Sequence, residues 1–102
     1  MTTSELRLLL RWLRRTCPPR HPVVAWRCRL ANAGETSCRG KRFSIRLDRD
    51  LPKPALVDTV LHEWAHCLAW YSREADPHGR DWSVAYGRVY REWERMLDGV
   101  SQ

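Results

Sequence analysis

His62-Glu63-Trp64-Ala65-His66 sets two imidazoles and a carboxylate at a spacing that could hold a metal ion and work on its water. On a helix of about 3.6 residues per turn, positions i and i+4 share one stripe, so both rings reach one cation. Glu63 is offset from His62 by roughly 100° around the axis, which puts its carboxylate beside the metal as a proton acceptor. A hydrolytic zinc site wants three protein ligands and one open position, so a third ligand must come from elsewhere. The sequence holds 4 His. His21 lies in a Pro-rich turn between Arg20 and Pro22, far from the motif. His78 opens His78-Gly79-Arg80-Asp81-Trp82, with Pro77 stopping any helix before it and Gly79 allowing a close backbone approach. His78 is the expected third ligand, with Glu74, Glu92 and Glu94 as the alternatives.

These side chains need rigid elements to position them. Leu56, Val57, Val60, Leu61, Trp64 and Leu68, with Cys67, form an apolar stripe that leaves His62 and His66 on a mixed face. Pro52 and Pro54 suit a helix entrance and Asp50 is a candidate cap, so a helix is predicted from about Lys53 to about Tyr71. Upstream, Leu6, Leu9, Leu10 and Leu13 recur at helical spacing over Ser4 to Arg15, with Ser4 as the expected cap. Pro18, Pro19 and Pro22 break the chain after it. Val23 to Leu30 reads as a strand, 31–35 as a turn and Thr36 to Cys38 as a short extended stretch. Phe43, Ile45 and Leu47 alternate with Ser44, Arg46 and Asp48, the pattern of a half-buried strand. A last helix is predicted from Gly79 to about Leu97, burying some of Trp82, Ala85, Val89, Trp93 and Met96. The expected fold is α+β: an N-terminal helix, a small two- or three-stranded antiparallel sheet, the HExxH helix and a C-terminal helix, in one domain over 1–102.

The string Val57-Asp58-Thr59-Val60-Leu61-His62-Glu63-Trp64-Ala65-His66, followed by His78-Gly79-Arg80-Asp81-Trp82, resembles the SprT-like (Spartan-like) zinc metallopeptidase family. That family's signature is HExxH and then an HG pair separated by two residues from an aromatic. The metzincin pattern does not fit, because Ala69 and Ser72 stand where it needs Gly and His. The resemblance covers roughly Arg42 to Trp93. It implies a minimal zincin or gluzincin-like core, His62, His66 and His78 as zinc ligands, and Glu63 as general base. Family members with known roles cut proteins bound on DNA. In zincins the strand before the HExxH helix forms the sheet edge above the metal, which makes Phe43 to Leu47 the expected docking edge for an extended peptide.

The chemistry that follows is peptide hydrolysis. Zinc held by three neutral imidazoles acidifies its water to a pKa on the order of 7, and Glu63 takes the proton and passes it to the leaving amine. Tyr86, Tyr90 or Arg73 could stabilise the tetrahedral oxyanion. Asp58, one turn before His62, either accepts that imidazole's second N–H or is an exposed helix acid. Trp64 and Trp82 read as core. The competing function is a non-catalytic, zinc-stabilised domain that binds nucleic acid or a partner, and Glu63 argues against it.

Composition bounds the rest. At 102 residues with 43% apolar content and 6 Trp there is material for one core. No stretch is long enough to cross a membrane, and Leu8-Leu9-Leu10 is too short for an export signal. Cys17, Cys28, Cys38 and Cys67 form no CxxC pair, which argues against a second zinc site. Cys28 and Cys38 could meet across a hairpin, but reduced thiols in a cytoplasmic protein are the expectation. The net charge is +6. Arg7, Arg11, Arg14, Arg15 and Arg20, with Trp12 among them, make the N-terminal helix the expected place for a DNA contact, beside a protein or peptide substrate at the metal.

Overall fold

The computed structural model describes residues 1–101. In chain order it has α1 (Thr3–Thr16), β1 (Val23–Cys28), β2 (Gly34–Arg39), β3 (Arg42–Asp48), α2 (Lys53–Leu68) and α3 (Arg80–Ser101). The fold is α+β, with three helices and one small sheet. No helix is long and apolar enough to cross a membrane.

Two start signals differ from the sequence expectation. The cap of α1 is Thr2, not Ser4: the Thr2 hydroxyl accepts the Glu5 N–H at 3.1 Å, and the Glu5 carboxylate accepts the Thr2 N–H at 3.0 Å. This reciprocal pair is a capping box, which satisfies two orphan donors at once and so wins over a lone Ser. At α2 the N-cap is Pro52, without a side-chain bond, so Asp50 does not cap.

The sheet is mixed, where an antiparallel one was expected. Its order is β1-β3-β2, with β1 parallel to β3 and β2 antiparallel to β3. Gly40, at φ 62°, turns β2 back onto β3. The link from β1 then carries the chain past the end of β3 to its far side. Thus β3 is the central strand, and the expectation that Phe43 to Leu47 forms the docking edge is wrong. The physical reason is burial: Phe43, Ile45 and Leu47 are all fully buried, and the most apolar strand gains most from having a neighbour on each side.

Leu6, Leu9, Leu10 and Leu13 of α1 and Leu56, Val60, Leu61 and Trp64 of α2 pack with that inner face of β3 in one core. Trp64 is fully buried, and its indole N–H donates to the Cys17 carbonyl at 2.8 Å, closing α1 onto α2. Val89 anchors α3 in the same core, and Trp93 meets Trp12 edge-on at 5.8 Å. All four cysteines are free. Cys28 and Cys38 lie on β1 and β2, which β3 separates.

Candidate metal centre

The apolar stripe of α2 is turned into the core, and this aims the other side of the helix at the site. His62 and His66, one turn apart, emerge half-buried beside the buried Glu63. His78 arrives from the loop between α2 and α3. That loop is tightly folded: the His78 N–H donates to Asp76 at 2.9 Å, and the Glu74 carboxylate accepts the N–H groups of Arg80 (2.9 Å) and Asp81 (2.6 Å) at the start of α3. The Ser72 hydroxyl donates to Asp81 at 2.7 Å and accepts the Glu74 N–H at 3.2 Å. Gly79 leaves room for this arrangement, since a Cβ would lie 2.3 Å from the Glu74 carboxylate and 3.0 Å from the Asp76 carbonyl and would push that carboxylate off the N–H groups it holds.

The three imidazoles converge through their Nε2 atoms. His78 Nε2 is 3.1 Å from His66 Nε2 and 3.3 Å from His62 Nε2. Two nitrogens each about 2.05 Å from a tetrahedral zinc lie about 3.4 Å apart, so this donor set fits that ion. Burial, then the neighbouring His62 and His78, pushes the His66 pKa down from 6.5 to about 4, which keeps the ring in the neutral form a metal needs. His62, His66 and His78 form the one group of possible metal ligands found among the described residues. Glu74 is taken up at the α3 start and Glu92 bonds Arg95 at 2.8 Å, while Glu94 is an exposed residue of α3.

Glu63 stands beside the trio. It is 6% exposed, and its Oε2 lies 3.9 Å from His62 Nε2. Its Oε1 accepts the Thr36 hydroxyl of β2 at 2.8 Å. Gly34 makes this approach of β2 to α2 feasible, because a Cβ there would lie 2.8 Å from Thr59 Cγ2 and 3.2 Å from Glu63 Cγ. Sequence reasoning missed Thr36 and Gly34. The only signal for Thr36 is the extended character of its segment, which says nothing about what it faces, and Gly34 reads as turn although β2 begins with it.

Trp82 is not core. It is half-buried, its ring centroid is 4.9 Å from both His62 and His78 and 5.6 Å from His66, and its N–H donates to the His62 carbonyl at 3.4 Å. Tyr86 stacks on Trp82 at 5.0 Å and sits 6.0 Å from the His62 ring. The Tyr86 hydroxyl donates to Asp58 at 2.6 Å, so Asp58 serves the phenol instead of the imidazole. Burial and then this bond raise the Tyr86 pKa, keeping it a proton donor. Tyr90 follows at 5.3 Å from Tyr86, one step further from the imidazoles, and Arg73 is exposed on the loop.

Comparison with known proteins places the chain in a family. Protein SprT of Pseudomonas fluorescens is 32% identical over 77 residues, covering 72% of this chain and 47% of that protein. The chain therefore spans about half the length of the curated relative it matches. No solved structure matches it. The model of the SprT-like family matches residues 6–98, nearly the whole chain, and the protein belongs to that family.

Proposed function

We propose that this protein is a zinc metalloendopeptidase that hydrolyses peptide bonds in protein substrates, including protein associated with DNA. The observation that carries the reading is the buried carboxylate of Glu63, 3.9 Å from a converging imidazole nitrogen and held by Thr36. A purely structural metal site has no use for a carboxylate so placed. His62, His66 and His78 would hold the ion through Nε2. Zinc bound there supplies a Lewis acid that polarises a peptide carbonyl and makes water a usable nucleophile near neutral pH.

The remaining chemistry belongs to the chain. The Thr36 hydroxyl fixes one oxygen of Glu63, which leaves Oε2 to take a proton from the attacking water and deliver it to the leaving nitrogen. Of the three oxyanion candidates, Tyr86 is favoured by its place beside His62 and Trp82, and its single hydroxyl proton, held by Asp58, would turn from that carboxylate to the oxyanion. An extended peptide would pair with the outer edge of β2, the edge strand whose Thr36 reaches Glu63. Four free thiols suit a reducing compartment, and we place the protein in the cytoplasm.

Glu63→Gln tests the reading. The variant should keep its fold and zinc content yet lose cleavage of unfolded casein by about a thousandfold, within the range typical of general bases. Cleavage at the parental rate would remove Glu63 from the mechanism.

A further inference from the structure

We propose that the outer face of the sheet is a binding platform for single-stranded nucleic acid. The helices cover the Phe43, Ile45 and Leu47 side of β3. The opposite side lies open, and the alternation of each strand decides what it displays. Trp26 of β1 stands there 43% exposed, in register with Arg46 of β3. Ser37 of β2 is in register with Ser44 of β3, and Arg39 with Arg42. These six residues line a shallow concavity of 750 Å3.

The charge on this face is mostly positive at the β2–β3 turn. Glu35 bonds Arg46, whereas among the described residues no carboxylate pairs with Arg39, Lys41 or Arg42 at the β2–β3 turn. Three free cations at one end of a face that displays a flat indole at the other match a chain that carries anions along its backbone and π-faces on its bases. Arg42 lies four residues, roughly 13 Å, along β3 from Arg46, the residue level with Trp26, so a strand with one base on Trp26 would carry its next phosphates toward Arg42 and its neighbour Arg39. An acidic polypeptide would satisfy the arginines but has no use for the indole on the same face. A duplex hides its bases, which makes the single strand the better occupant.

Helix α1 offers less. Its Arg7 and Arg11 are exposed, but Arg14 reaches the Val23 carbonyl at 2.9 Å, and Trp12 is packed against Trp93. Cation and exposed aromatic therefore come together on the sheet, not on the helix. This inference does not depend on catalysis, and its test reads binding alone.

The experiment is fluorescence anisotropy of a labelled oligothymidylate with the full chain across a salt series. R39S/R42S should weaken binding at least tenfold at low salt and reduce the log–log salt slope by about 1.4, the share of about 0.7 per charge for a single strand. Trp26→Ala should weaken binding by about tenfold with the slope unchanged, and Trp26→Phe should restore most of it. R7S/R11S should bind as the parent does. Circular dichroism checks each fold, and should W26A not fold, W26F and R39S/R42S decide the matter. The proposal is overturned by absence of binding at low salt, by losses confined to R7S/R11S, by preference for duplex, or by polyglutamate displacing the strand as well as unlabelled oligonucleotide does.

Discussion

Thr36 is where the candidate site departs most from what local sequence could indicate. His62, Glu63 and His66 are legible because helix geometry relates neighbours within one turn, and His78 because Pro77 and Gly79 mark a chain change. The hydroxyl on Glu63 is different: it comes from a strand 27 residues away, and no local period encodes it. Replacing Thr36 with Val should leave zinc content unchanged and lower kcat about tenfold, at the lower end of losses for supporting hydrogen bonds, with Thr36→Ser retaining most activity. Steady-state kinetics on casein measures this, and an unaltered kcat would show that the carboxylate needs no such anchor. His66 gives a second residue-scale expectation. Its pKa falls from 6.5 to about 4 on folding, so the unfolded chain takes up the proton first as pH drops. In the metal-free protein its contribution to stability is whole above pH 6.5 and is lost as the pH falls through about 4. Urea midpoints across that window should decline with acidification, and His66→Gln should flatten the decline.

Among the elements, α1, α2 and α3 were readable from their apolar stripes, and β3 from strict alternation. The neighbours of β3 were not readable, because whether a strand is central depends on contacts set by the whole chain. That single misplacement moved the docking edge from β3 to β2 and made a mixed sheet look antiparallel. The loop before α3 shows a similar limit. Glu74 looked like a spare ligand, yet its carboxylate ties the first turn of α3 and thereby orients the backbone that carries His78. Glu74→Ala should orphan the N–H groups of Arg80 and Asp81, cost about 1 kcal/mol as lost helix caps do, and weaken zinc binding about tenfold. Competition with a chromogenic chelator reports the affinity. If Glu74 were itself a ligand, the loss would be far larger and Glu74→Gln would not recover it.

Across the whole molecule, the core and the imidazoles occupy different territory. The core runs from Leu6 to Val89 through all three helices and the sheet and contains none of the three clustered His, which stand at the rim with His78 exposed. Metal removal should therefore leave the far-ultraviolet spectrum intact while abolishing cleavage, and added zinc should restore it. A collapse of secondary structure on chelation would instead assign the ion a scaffolding duty, as in small domains that fold only around their metal. A cradle mounted on an already finished scaffold can be loaded late. Its three nitrogens accept several first-row ions. On the proposed reading, which ion occupies it, and when cleavage begins, would then fall to metal supply, a control applied after synthesis and reversible without refolding.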